Sequence, residues 1–134
     1  MRYLLDTNIC IYLIKQKPPA VLQRFQTLEV GDIGISSITV FELEFGVAKS
    51  SRPEQNQQAL QQFLQPLTVL AFDARAAQAA GSIRAELERK GTPIGSYDLL
   101  IGAQARQAGL VLVSNNTREF ERIPALQLEN WSLG

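Results

Sequence analysis

Short uninterrupted apolar runs alternate along this chain with longer segments in which apolar residues return every three or four positions. That alternation leaves room for little besides an α/β domain with a parallel sheet, right-handed crossovers and helices on both sheet faces. Arg2-Tyr3-Leu4-Leu5 is the first strand, and Ile9, Tyr12 and Leu13 follow at helical spacing until Lys15-Gln16-Lys17-Pro18-Pro19 stops them. Val21, Leu22, Phe25 and Leu28 mark a second helix. Ile33 to Ser36 is the second strand, and Ser36 or Ser37 caps a helix that runs through Ile38, Phe41, Phe45 and Val47.

The glutamine-rich stretch from Glu54 to Gln65 keeps Leu60, Phe63 and Leu64 at helical spacing, so its glutamines form a solvated face. Leu67 to Phe72 is the third strand. Asp73 caps an alanine-rich helix carrying Ala76, Ala80, Ile83 and Leu87, which stops at Gly91. Ser96 sits where an N-cap belongs, ahead of a helix from Tyr97 to Gln107 that Gly109 ends. Leu110 to Val113 is the clearest fully buried strand; Ser114-Asn115-Asn116, a helical turn around Phe120 and a last strand at Leu126 to Leu128 complete the chain. With no repeat and no linker, residues 1–134 are expected to form one domain with a five-stranded parallel sheet sandwiched by helices.

Histidine is absent, so catalysis would fall to carboxylates, a metal or the lone thiol of Cys10. Cys10 has no disulfide partner, which suits a cytoplasmic protein, and it is expected to pack as a small hydrophobe. The uncharged stretch from Gln55 to Phe72 is too rich in glutamine, and too interrupted by Pro66, to span a bilayer, so no membrane association is expected. Formal net charge is zero, so a nucleic acid would have to be held by local chemistry or a second subunit.

Strands one, two and four end in Asp6-Thr7-Asn8, Ser36-Ser37 and Ser114-Asn115-Asn116, which places small polar and acidic groups on one rim. Each residue taken singly is an ordinary helix cap. Asp6 has no partner at i+4 and no capping box to account for it. Glu42, between Ile38 and Phe45, leans toward the core, although spacing alone does not decide between Glu42 and Glu44. Asp98 stands in the first turn of its helix, where the dipole favours it by about 0.3–1 kcal/mol, yet Ile101 and Ala105 share its face. Two carboxylates about 5 Å apart repel by roughly 3 kcal/mol at an effective dielectric of about 20. A cluster of three therefore calls for protons or a cation, and an all-oxygen set favours Mg²⁺, with Mn²⁺ as a substitute, over zinc. Such a site fits metal-assisted hydrolysis of a phosphodiester.

Leu4-Leu5-Asp6-Thr7-Asn8-Ile9, Ser36 to Leu43, Ile94 to Ile101 and Val113 to Phe120 resemble the successive motifs of PIN-domain proteins, most of all the VapC toxins of bacterial type II toxin–antitoxin pairs. The ending from Arg118-Glu119-Phe120 to Glu129-Asn130-Trp131 resembles the subgroup that cleaves initiator tRNA in its anticodon stem-loop. The resemblance implies a Mg²⁺-dependent endoribonuclease with Asp6, Glu42 and Asp98 as its catalytic, metal-holding acids, and it favours Glu42 over Glu44. Many PIN domains carry a fourth acid after the fourth strand. Here the nearest match is Asn116, with Glu119 just beyond, so one firmly held ion is expected, and Thr7, Asn116 and Glu119 are candidates for substrate or second-metal contact. The resemblance also implies a homodimer, a tRNA substrate and a cognate antitoxin that forms a hetero-oligomer with the toxin and sets an arginine against the acids.

Thr7 is expected to cap the first helix, with a second role at a water or phosphate as the alternative. Tyr97 and Trp131 offer faces to an unpaired base, against the more ordinary use in core or interface packing. Arg84, Arg106, Arg118 and Arg122 are candidate phosphate contacts or plain solvated surface. Two other functions fit an acid after strand one. A phosphatase could use Asp6 as nucleophile, though Asn8 stands where such sites want a second acid. A non-catalytic RNA-binding module is the other.

Overall fold

A computed structural model describes residues 1–133; Gly134, the last residue of the expected domain, lies outside them. The five strands are β1 Tyr3–Leu5, β2 Ile33–Ser36, β3 Thr68–Leu70, β4 Val111–Val113 and β5 Leu128–Glu129. All pair in parallel, in the order β3-β2-β1-β4-β5. The helices are α1 Thr7–Lys15, α2 Pro19–Gln26, α3 Ser37–Ala48, α4 Pro53–Leu64, α5 Ala74–Arg89, α6 Ser96–Gln107 and α7 Thr117–Phe120. Among the described residues no helix is long and apolar enough to cross a membrane.

The period of two along β1 divides the core. Tyr3 and Leu5 point to one side of the sheet with Ile9, Leu13, Ile35, Leu43 and Val113, while Leu4 points to the other with Ile83, Leu87, Ile101, Leu112 and Phe120. Because both faces are covered, β1 and β4 read as continuous apolar runs. Cys10 lies in the first cluster as a fully buried free thiol, as its residue type suggests. Trp131 is also core: its ring packs edge-on against Tyr3 at 5.7 Å, and its indole N–H donates to Glu129. That placement removes it from any role in stacking a base.

Gly91 and Gly109 close α5 and α6 at φ +71° each, a region open to glycine. In each case the next residue returns its N–H to the helix, Thr92 to the Leu87 carbonyl and Leu110 to that of Ala105, both at 2.9 Å. The second of these turns feeds α6 directly into β4. Asp73 caps α5 through the Ala76 N–H at 2.9 Å, as read from the sequence.

Two local expectations shift, and the choice between Ser36 and Ser37 is resolved. Gly95, not Ser96, is the cap residue of α6, and no side chain closes that end. Ser36 caps α3 through the Ile38 N–H, while the Ser37 hydroxyl accepts from the Phe72 N–H. The last strand is Leu128–Glu129 and not Leu126 to Leu128, because β4 pairs Leu112 with Leu128 and Val113 with Glu129.

The chain adds β2 and β3 on one side of β1, then returns to lay β4 and β5 on the other. The strand order reverses beside β1, and the carboxyl ends of β1 and β4 open there into the crevice where open α/β sheets hold ligands. Helix α3 packs against both α1 and α6 at that edge.

Candidate active site

Asp6 follows β1 directly, and its N–H donates to the Val113 carbonyl at 3.0 Å, extending the ladder by one bond. Its Oδ1 accepts from the Ile9 N–H at 2.8 Å, so Asp6 is the N-cap of α1. The local role that sequence spacing did not supply for Asp6 is thus a cap, which also aims the carboxyl into the crevice. Thr7, expected as that cap, is the first helical residue instead. Its hydroxyl is released to donate to Glu42 Oε1 at 2.7 Å, with the Thr39 hydroxyl 3.3 Å away.

That contact distinguishes Glu42 from Glu44. Glu42 faces the crevice across α1, whereas Glu44 is exposed and its carboxylate lies 3.5 Å from the Gln57 amide. Asp98, in the first turn of α6, completes the group: Asp6, Thr7, Glu42 and Asp98 line one cleft of about 580 Å³.

Asp6 is 3 % exposed, and burial pushes its pKa from 3.8 to about 6. Hydrogen bonds from Ser114 and the Ile9 N–H oppose that rise and the Glu42 charge adds to it. Asp98 is also raised to about 6, first by burial, then by the charges of Glu119, Asp6 and Glu42, with a hydrogen bond to Glu119 contributing. The helix dipole, which favours the Asp98 anion, is outweighed. Two carboxyls raised by burial and mutual repulsion mark uncompensated negative charge, a signature that clusters at functional sites.

Asn116 and Glu119 do not line the cleft. Glu119 Oε1 accepts from the Gly95 N–H at 2.7 Å and Oε2 from the Asn116 amide at 2.9 Å, which ties α7 to the start of α6. Glu119 reaches the site through Asp98, and Asn116 supports Glu119. Ser114, fully buried, accepts from the Asn116 N–H at 2.9 Å and hydrogen-bonds Asp6, so the end of β4 braces the acid of β1.

None of the candidate arginines lines the cleft. Arg84 pairs with Glu88, and Arg122 donates to the Pro93 carbonyl. The cation in the cleft is Lys49, beside Phe41, Phe45 and Tyr97. Sequence reading missed Lys49 and turned Phe41 and Phe45 inward, yet they are 53 % and 57 % exposed. The inward residues of α3 are Thr39 and Leu43. A helix apolar on more than one side was the available signal.

Among the described residues no three acidic, histidine or cysteine side chains are gathered closely enough to hold a metal ion together. The ion that asks for the fewest ligands from a protein is Mg²⁺. That ion keeps several waters and needs only one or two carboxylates from the protein, and Asp6 and Asp98 carry the negative charge it would neutralise.

The PIN domain family matches residues 3–126. The tRNA(fMet)-specific endonuclease VapC of Shigella flexneri is 48% identical over 132 residues, covering 98% of this chain and 99% of that protein. Ribonuclease VapC2 of Rickettsia felis is 46% identical over 132 residues, covering 98% of each. Among solved structures, DNA-bound VapBC from Salmonella typhimurium superposes with a TM-score of 0.93 at 48% identity, covering 98% of both chains. VapBC2 from Rickettsia felis, bound to a DNA fragment from their promoter, gives a TM-score of 0.91 at 45% identity over 98% of this chain and 99% of that one.

Proposed function

The chain belongs to the PIN-domain family, and on that premise we propose that residues 1–134 form one Mg²⁺-dependent endoribonuclease domain, the toxin of a toxin–antitoxin pair, cutting initiator tRNA. The observation that carries this reading is the meeting of Asp6, Glu42 and Asp98 in one cleft at the sheet's switch point, two of them raised to about 6. Relatives with 48% and 49% identity that carry the name tRNA(fMet)-specific endonuclease VapC support the substrate. Solved VapBC complexes support an antitoxin partner.

Asp6 and Asp98 would hold the cation, on carboxyls oriented by Ser114 and the Ile9 N–H on one side and by Glu119 on the other. Bound there, Mg²⁺ supplies stabilisation of charge on the phosphoryl oxygens and a more acidic water. Thr7 fixes Glu42 through Oε1, which leaves Oε2 without a protein donor among the described residues, placed to orient an attacking water and take its proton. Asp98, in the first turn of α6, and Asp6, at the start of α1, are thereby fixed on rigid elements, which keeps the reacting geometry narrow.

The same arrangement disfavours a phosphatase with Asp6 as nucleophile. One oxygen of Asp6 is committed to the helix cap, and Asn8 replaces the second acid. An antitoxin that sets an arginine against Asp6 and Asp98 would neutralise the cleft as the cation does, through a charge-assisted and often bidentate contact. A homodimer in the cytoplasm would bring two such clefts to one tRNA.

The test is a gel assay of purified, antitoxin-free protein on total tRNA with Mg²⁺, with a chelator, and with Asp98→Asn. Discrete fragments with Mg²⁺ alone are expected, absent in both other lanes and mapping to initiator tRNA. Intact tRNA in every lane from folded protein refutes the proposal.

A further inference from the structure

Each of two site acids has an exposed aromatic residue beside it in sequence. Phe41 precedes Glu42 and Tyr97 precedes Asp98, and the two rings meet across the cleft at 5.7 Å with planes 59° apart. One turn on from Phe41 stands Phe45, and one turn further Lys49, whose ammonium rests 4.9 Å over the Phe45 ring. Among the described residues six large apolar side chains are counted as exposed, and three of them, Phe41, Phe45 and Tyr97, line this one cleft. Isolated exposed residues are unremarkable, but a contiguous apolar patch beside a polar site signals an occupant.

Resting on the nuclease reading above, we infer that Phe41 and Tyr97, packed against each other, hold an unpaired base on their shared outer face as a one-sided clamp next to the scissile phosphate, with Lys49, propped on Phe45, contacting the neighbouring phosphate. The geometry favours a nucleotide over an apolar protein segment. An apolar partner seated on these rings would bury Lys49 and the carboxylates without partners, a costly desolvation. A single-stranded RNA suits each group: its base meets the rings, its phosphate meets Lys49, and its reacting phosphate would face the acids across the cation they are proposed to hold. A base inside a duplex is stacked on its neighbours and hides both faces from the rings, so the clamp selects loops and other unpaired segments. The rings act by positioning the strand, and Phe45 acts through Lys49.

The test uses the full chain and an RNA whose cut site has been mapped, with a stable abasic nucleotide placed on each side of the scissile bond in turn. Wild type is compared with Phe41→Ala/Tyr97→Ala and with Phe41→Tyr/Tyr97→Phe, each checked for cooperative melting. One abasic position should lower wild-type kcat/KM by about 10- to 100-fold, the scale of a base–aromatic contact. The alanine pair should lose a similar factor on intact RNA, chiefly in KM, and show no further loss with the abasic RNA. The Tyr/Phe pair should recover both. If the alanine pair fails to fold, Phe41→Leu/Tyr97→Leu keeps the volume without the rings and carries the same comparison.

An abasic loss of equal size in wild type and ring-less protein overturns the clamp while leaving the nuclease reading intact. A ring-less protein that cuts like wild type but loses antitoxin binding or self-association also overturns it, and assigns the rings to a protein interface. Wild type that cuts no RNA removes the nuclease reading and the clamp together.

Discussion

Asp6→Asn should melt at a higher temperature than the wild-type protein in the absence of metal, and should lose nearly all RNA cleavage. Asparagine caps a helix about as well as aspartate, so the bond from the Ile9 N–H to residue 6 survives. What disappears is a buried charge whose pKa has been lifted from 3.8 to about 6. Relief of that burden is worth about 1–3 kcal/mol at neutral pH, or about 3–10 °C in Tm for a domain of this size. Loss of a cation ligand should slow cleavage by at least about 10³-fold, since charge stabilisation by a metal contributes several kcal/mol to the transition state. Asp6→Ala separates the two roles of the residue. It removes the cap as well, a cost of about 1 kcal/mol, and should give up a third or more of the gain in Tm. Thermal melts of the three proteins with a chelator, paired with cleavage rates, check both parts.

Stability and metal response should cross with pH. Asp6 and Asp98 are both raised, so between their ordinary value of 3.8 and about 6 the native state holds more protons than the unfolded chain. The metal-free protein therefore loses stability as pH rises through that window and levels off above it. Mg²⁺ competes with those protons, so its effect runs the other way. At about 100 times its Kd the ion should add about 2.7 kcal/mol above about pH 7 and almost nothing below about pH 5. Melting curves across pH, with and without Mg²⁺, measure both trends. In Asp98→Asn each should shrink, because one of the two titrating carboxyls is gone.

The layered fold was legible because burial on both faces leaves an unmistakable mark: Leu4-Leu5 and Val111-Leu112-Val113 carry no polar residue, and Gly91 and Gly109 punctuate the helices where positive φ is needed. What escaped was phase and not period. On α3 the helical spacing was right, but Thr39 and Leu43 turn inward and Phe41 and Phe45 outward, since apolar residues occupy more than one side and only neighbouring elements choose between them. At the end of β1 a one-residue displacement exchanged the roles of Asp6 and Thr7; the cap went to the acid, and the hydroxyl went to Glu42. The last strand starts two residues later and ends one residue later than read because its register is dictated by β4.

Asp6 and Asp98 were legible as candidates from strand-end and first-turn positions and Glu42 from its place between Ile38 and Phe45, but spacing could not select Glu42 over Glu44. That choice depends on a contact 35 residues away in sequence, from Thr7. Glu119 was named as a contact to substrate or a second metal, but the structure puts it against Gly95, Asn116 and Asp98. Its role in holding the start of α6 arises from a loop that closes 24 residues back, which no local pattern records.

The most direct measurement is anomalous scattering from crystals of the antitoxin-free protein equilibrated with Mn²⁺, collected for wild type and for Asp6→Asn. A single strong peak in the cleft, within bonding distance of Asp6 and Asp98 in the wild type and lost in the variant, is the expected result. A wild-type protein that cleaves RNA with Mn²⁺ yet shows no peak between those carboxylates, or shows the same peak in both proteins, would contradict the assignment of this cleft as the metal-holding active site.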